Sequence, residues 1–269
     1  MAVVEARGLG IGYAGRTVIP GIDLSLAGGE ALALVGANGS GKSTLLKTLA
    51  GLIPRTAGEL SILGAPPGGS GQRIAYLGQY HTSGGLLPMQ VRDVVLMARY
   101  RGRGLLRRLG PADRDAVERA MDALDVTSLA RQPLRSLSGG QQRRVHLAYT
   151  LAREADLLLL DEPTAGLDAA ANDRYVQMIQ AELARGASVV TSTHDVGDAA
   201  RAQQVMLLAG RIVASGSPRD VLTPERLAEA LGIALLAVPH GDHTDLLHPE
   251  HPHAHPAHAP TPSHGPITK

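Results

Sequence analysis

Gly36-Ala37-Asn38-Gly39-Ser40-Gly41-Lys42-Ser43 follows directly on the apolar run Ala31-Leu32-Ala33-Leu34-Val35. It precedes a helical stretch, Thr44-Leu45-Leu46-Lys47-Thr48-Leu49-Ala50, that Gly51 and Pro54 bring to an end. Strand, glycine-rich loop and helix in that order form a phosphate cradle of the G-x-x-x-x-G-K-[ST] type. The glycines let the backbone turn its N–H groups inward around an anion, and the helix aims the positive end of its dipole at the same point. Gly36, Asn38, Gly39 and Gly41 then surround the phosphates, and Lys42 reaches the β- and γ-phosphates. Ser43, followed by Thr44, offers its hydroxyl to Mg²⁺. The plainer reading, a glycine turn capping a helix beside a solvated lysine, does not account for the order of the three elements. The implied ligand is a nucleoside triphosphate.

A second constellation narrows the chemistry. Leu137-Ser138-Gly139-Gly140-Gln141 opens another helix, in which Val145, Ala148, Leu151 and Ala152 fall on one face. Ser138 and Gln141 stand at capping-box spacing. A cap does not call for Gly139 and Gly140, which let a phosphate approach the backbone closely. Downstream, Leu157-Leu158-Leu159-Leu160-Asp161-Glu162 reads as a buried strand ending in two acids. Beside a phosphate loop, Asp161 can hold Mg²⁺ and Glu162 can polarise an attacking water.

Together these motifs resemble the ATP-binding subunit of an ATP-binding-cassette (ABC) transporter, over roughly residues 3–235. The resemblance implies an α/β P-loop NTPase: a mostly parallel sheet, an N-terminal antiparallel β subdomain and a helical subdomain inserted at about residues 86–153. It implies that Tyr13 stacks on adenine, that Gln79 joins the Mg²⁺ and water site to a transmembrane partner, and that Asp168 communicates across a dimer. His194, in Ser192-Thr193-His194-Asp195, would contact the γ-phosphate, and Glu162 would be the general base. In this family two copies pack head to tail, so Ser138, Gly139, Gly140 and Gln141 of one face the phosphate loop of the other. A second nucleotide-binding subunit, most simply another copy, is therefore an expected partner.

The rest of the chain agrees with an α/β fold. Strand-like apolar runs alternate with helical patterns, which argues a parallel sheet covered by helices. Ile22-Asp23-Leu24-Ser25-Leu26 alternates strictly and suggests an antiparallel strand with one polar face, and Gly210 marks a turn within a late hairpin, Val205 to Ala214. Phe, Trp and Cys are each 0, so leucine must fill core positions where rings are usual, and disulfides and thiolate metal sites are excluded, as suits a cytosolic chain. A net charge of +1 gives no reason to expect nucleic-acid binding. No apolar run is long enough to span a bilayer. The expected setting is peripheral, on the cytoplasmic face of the membrane, with a separate permease chain and an extracytoplasmic substrate-binding protein as partners.

Val91, Val94, Val95 and Ala98 form one apolar helical face, within the region 80–100 where the family receives the permease's coupling helix. Arg99, Arg101, Arg103, Arg107 and Arg108 follow as a basic cluster that suits either solvent or anionic contacts. Val94 to Tyr100, read with Leu157 to Asp168, is similar to the ATPases of the manganese, zinc and iron-chelate uptake group. Thr82-Ser83-Gly84-Gly85-Leu86-Leu87 stands where that group often carries a phenylalanine. The implied substrate is a divalent metal ion or metal chelate, with a drug, lipid or peptide exporter or a soluble non-transport ABC ATPase as the alternatives.

The composition divides the chain into a nucleotide-binding domain at 1–238 and a disordered tail at 239–269. The tail is rich in Pro, Ala and His and has too few apolar residues to build a core. Its neutral imidazoles suit Zn²⁺ or Ni²⁺, with His251, His253, His255 and His258 as candidate ligands. A solvated tail without function fits the same composition.

Overall fold

The structure, a computed structural model, describes residues 2–79, 89–100 and 109–232, together with the backbone of Leu236–His240 and His243–Leu247. Residues 80–88, with Thr82 to Leu87, and Arg101, Arg103, Arg107 and Arg108 lie outside the described residues, as do His251, His253, His255 and His258. The chain falls into two units, Met1–Gly232 and Ile233–Lys269.

The first unit begins with a ribbon. Strands β1 (Ala2–Tyr13) and β2 (Arg16–Ala27) are antiparallel, and Tyr13 pairs with Arg16 across Ala14 and Gly15. Both turn residues have positive φ, 47° and 79°, the two-residue turn whose twist matches that of the strands. β2 is an edge strand of the order β2-β1-β4, with β4 at Ala57–Ile62, so Pro20 costs the sheet no interior bond. Ile22, Leu24 and Leu26 are buried while Asp23 and Ser25 are exposed, as their alternation predicts.

The main sheet runs β5-β6-β7-β3-β8-β9. Its strands are β3 (Ala31–Val35), β5 (Ile74–Leu77), β6 (Leu157–Asp161), β7 (Ser188–Thr193), β8 (Gln204–Leu208) and β9 (Ile212–Gly216). All neighbours are parallel except β8 and β9, the late hairpin expected around Gly210. The leucines of β6 divide between two cores by the period of two. Leu157 and Leu159 join the ribbon and helix α1 (Lys42–Leu49) on one face, whereas Leu158 and Leu160 join the helices of the other. Full burial of each such side chain contributes about 1.5–3 kcal/mol, which holds β6 inside even though it ends in a carboxylate. Leucine, isoleucine and valine dominate both cores, and Tyr175 is the one fully ring-bearing member at 6% exposure among the buried residues.

Between β5 and β6 the chain inserts α2 (Val91–Tyr100), α3 (Pro111–Ala123) and α4 (Gly139–Leu151). Val91, Val95 and Ala98 of α2 are buried and Val94 packs at their margin, against Val145 and Ala148 of α4. Arg99 departs from the basic cluster in which its sequence places it. Its guanidinium donates to Asp113 Oδ1 at 3.0 Å, to Ala152 O at 2.8 Å and to Glu154 Oε2 at 2.9 Å, tying α2 to α3 and to the end of α4.

After β6 come α5 (Ala169–Ala184), α6 (Val196–Ala199), α7 (Pro218–Val221) and α8 (Pro224–Leu231). Gly232, left-handed at φ 67°, caps α8 and ends the first unit. In the second unit, β10 (Leu236–His240) and β11 (His243–Leu247) pair antiparallel with His240 opposite His243.

Candidate functional site

Parallel strands deliver their C-terminal ends to one edge of the sheet, which is where open α/β sheets bind ligands. β3 delivers the phosphate loop, β5 leads to Gln79, β6 ends in Asp161 and Glu162, and β7 precedes His194. A cleft of about 350 Å³ opens between Asn38, Gly39 and Gly41 to Thr44 on one side and Gln79 and Glu162 on the other. Residues from three separate places in the chain meet there.

The loop needs glycine at two positions for reasons the structure makes concrete. A Cβ on Gly36 would sit 2.1 Å from Leu208 O, and one on Gly41, at φ 107°, would sit 2.5 Å from Ile19 Cδ1. Lys42 is 5% exposed, and its ammonium donates to Gly36 O at 2.6 Å and Ala37 O at 2.9 Å. Burial lowers its pKa, while the carboxylates of Glu162 and Asp161 act to raise it. Negative oxygens brought into the cleft would meet a cation already aimed at the loop.

Asp161 is 1% exposed, and its Oδ1 accepts the Ser192 hydroxyl at 2.7 Å. Its Oδ2 is buried with no hydrogen-bond partner. A buried carboxylate oxygen in that position calls for a cation or water. With the Ser43 hydroxyl and the Gln79 side chain in the cleft, the donors are oxygens, a set that fits Mg²⁺.

Glu162 has φ 47°, a left-handed conformation that costs a non-glycine residue about 1–3 kcal/mol. Two side chains that sequence reasoning passed over hold it there. Its N–H donates to Ser192 Oγ at 2.9 Å. Arg143, 4% exposed in α4, donates to Asp161 O at 2.8 Å, to Pro163 O at 3.1 Å, to Gly78 O at 3.4 Å and to Glu162 O. Helix α4 thereby grips both the acid turn and the residue before Gln79. Ser192 had a signal in its place beside His194, but the burial of an arginine on a polar-looking helix has none. Arg143→Met keeps the bulk and leaves these carbonyls without a donor. We expect it to lower stability by about 3 kcal/mol in urea unfolding and to reduce hydrolysis. Arg143→Lys, which lacks the planar fork, should recover only part of either.

Gln79 also lines a second cleft of about 390 Å³, formed with Tyr76 and with His146, Tyr149 and Thr150 of α4. Burial and the Asp161 charge push the Tyr76 phenol up to about 12, so it stays protonated at neutral pH. Gln79 therefore faces both the phosphate loop and the inserted helices.

Other expected site residues stand apart from the cleft. Tyr13 is 46% exposed at the ribbon tip, and His194 follows Thr193, the register partner of Val35, with its side chain in solvent. Ser138 and Gln141 make the capping box, Gln141 N to Ser138 Oγ at 3.3 Å and Ser138 N to Gln141 Oε1 at 2.9 Å. Gly139 is exposed, with nothing within 4 Å of the position of a Cβ, and a Cβ on Gly140 would lie 3.1 Å from Gly166 O. Asp168 caps α5, accepting from Ala171 N at 2.8 Å. None of these lines the cleft of its own chain.

The family model described as ABC transporter matches residues 19–165. The manganese transport system ATP-binding protein MntB of Bacillus subtilis is 37% identical over 234 residues, covering 86% of this chain and 93% of that protein. The hemin import ATP-binding protein HmuV of Nocardia farcinica is 44% identical over 234 residues, covering 84% of this chain and 78% of that protein. Among solved structures, a chain of a metal-chelate type ABC transporter in an inward-facing conformation superposes with a TM-score of 0.77. It has 27% identity and covers 93% of this chain and 99% of its own.

Proposed function

The chain belongs to the ABC transporter family as an ATP-binding subunit, and from that premise we propose that its ATPase activity drives uptake of a divalent metal ion or metal chelate through a separate permease. The observation that carries the ATPase site is the cleft in which the phosphate loop faces Glu162 and Gln79. The substrate class is supported by the manganese and hemin relatives. Among the described residues no helix is long and apolar enough to cross a membrane, so the translocation path belongs to a partner. A place on the cytoplasmic face, with an extracytoplasmic binding protein delivering substrate, follows from that assignment.

In this reading the loop amides, the α1 dipole and Lys42 hold the phosphates of ATP, and Tyr13 stacks on adenine. Ser43, Asp161 and Gln79 would hold Mg²⁺, which neutralises phosphate charge when bound. Glu162 accepts the proton of the attacking water, with its carboxylate fixed by the strained turn that Arg143 and Ser192 grip. His194 meets the γ-phosphate. Ser138 and Gly139, exposed in one chain, complete the site of a second copy, and Asp168 carries the contact between the two. Closure on ATP would draw the permease helices together through the Gln79 segment, and hydrolysis would release them.

The tail would bind Zn²⁺ or Ni²⁺ through several imidazoles and act apart from the motor. The test is uptake in vesicles holding the chain and its partner permease, with manganese, zinc and hemin supplied in turn. ATP-dependent accumulation of one of them is expected. A chain ending at residue 232 should hydrolyse ATP like the full protein and lose most zinc binding in calorimetry. Transport of none of the three overturns the substrate assignment, and equal zinc binding by the two chains removes the tail from it.

A further inference from the structure

Tyr76, on β5, and Asp161, at the end of β6, share one face of the main sheet. Register sets Tyr76 opposite Leu159 and Leu77 opposite Leu160. Because side chains alternate along a strand, Leu159 and Asp161 point the same way, toward the core of the ribbon and α1, where Tyr76 also packs. Carried one residue further, the register sets Gly78 beside Asp161. Arg143 reaches both backbones there, donating to Gly78 O at 3.4 Å and to Asp161 O at 2.8 Å. Gly78 has no side chain to fill its place on that face, and the Tyr76 ring leans into it. A Cβ on Gly78 would lie 3.1 Å from Tyr76 Cε1 and 3.2 Å from the phenol oxygen. The hydroxyl thus stands where a side chain of residue 78 would begin, with Asp161 on the neighbouring strand, about 4.8 Å away by the spacing of a sheet.

Both groups are left with an unmet polar atom. Tyr76 Oη and Asp161 Oδ2 are buried with no hydrogen-bond partner among the described residues. The phenol can donate and the carboxylate oxygen accepts, and burying either one unpaired is costly. A single water that accepts from the phenol and donates to the carboxylate satisfies both. Ser192 holds only Oδ1 of Asp161, at 2.7 Å. Without a second tie the carboxylate is free to tilt about its terminal torsion, which has broad wells.

We propose that Tyr76 is a positioning residue for the Mg²⁺ site: its hydroxyl, through one water, anchors Asp161 Oδ2 and fixes the carboxylate in the orientation the cation needs. The role rests on the ATPase reading above. β5 then serves the site twice, through Gln79 at the edge of the cleft and through Tyr76 behind Asp161. Removing a group that orients a ligand from behind costs about 10–100-fold in metal affinity.

The test uses the purified full-length chain, a non-hydrolysable ATP analogue and Mn²⁺ as a paramagnetic probe of the Mg²⁺ site. Tyr76→Phe removes the hydroxyl and keeps the ring over Gly78. Titrated by electron paramagnetic resonance, Mn²⁺ should bind the nucleotide-loaded variant about tenfold more weakly than wild type. Affinity for the analogue in EDTA should be unchanged, since no phosphate contact is lost. The Mg²⁺ concentration that gives half-maximal hydrolysis should rise by the same factor, with kcat recovered at saturating Mg²⁺. Equal Mn²⁺ affinity in the two proteins overturns the proposal. So does a loss of Mn²⁺ affinity matched by an equal loss of metal-free nucleotide affinity, the mark of a general disturbance of the loop. A wild-type chain that binds no analogue sinks the ATPase reading instead.

Discussion

Glu162→Gln is expected to cut ATP hydrolysis by about 10²-fold or more while leaving ATP binding intact, since a positioned general base contributes about 10²–10⁴-fold. The substitution keeps shape and hydrogen-bonding capacity, so the left-handed backbone at φ 47° and its ties to Ser192 and Arg143 are undisturbed. What disappears is the carboxylate that borders the cleft opposite Lys42. Its negative charge also acts on the Lys42 ammonium, so the neutral variant should bind nucleotide at least as well. With ATP bound and not cleaved, two copies should remain closed. Light scattering with and without ATP measures this directly. A variant that stays monomeric at saturating ATP argues against completion of the site by a second copy, and one that hydrolyses at the normal rate removes Glu162 from the chemistry.

Lys42→Ala should weaken nucleotide binding and lower turnover together, by about 10²–10³-fold in kcat as for other lost electrostatic stabilisers. The ammonium is buried and held by Gly36 O and Ala37 O, so it is placed before ATP arrives and little ordering is needed on binding. Alanine removes the charge and also leaves two loop carbonyls without their donor. Both effects fall on the same loop, which is why affinity and rate should move together, in contrast to Glu162→Gln. Nucleotide titration and an ATPase assay on the purified variant check the pair of values. Wild-type numbers in both would end the phosphate-loop assignment.

The local geometry around the cleft is legible in the sequence wherever it is written in contiguous residues. The phosphate loop, the capping box from Ser138 to Gln141 and the apolar run into Asp161 each depend on backbone geometry a few residues long, and short-range patterns report short-range geometry. The ribbon alternation at Ile22 to Leu26 and the apolar face of α2 were readable for the same reason, because strand and helix periods are properties of the local chain. Only the tertiary structure decided which of these pieces meet. Asp161 reaches Ser192 because β6 pairs with β7 across the α5 crossover, and Gln79 reaches the loop because β5 is laid beside β6. Arg143 looks like a solvated helix residue until the acid turn is placed over it. Such contacts follow from the crossover order of a parallel sheet, which sets neighbours across long loops and leaves no period in the sequence to announce them.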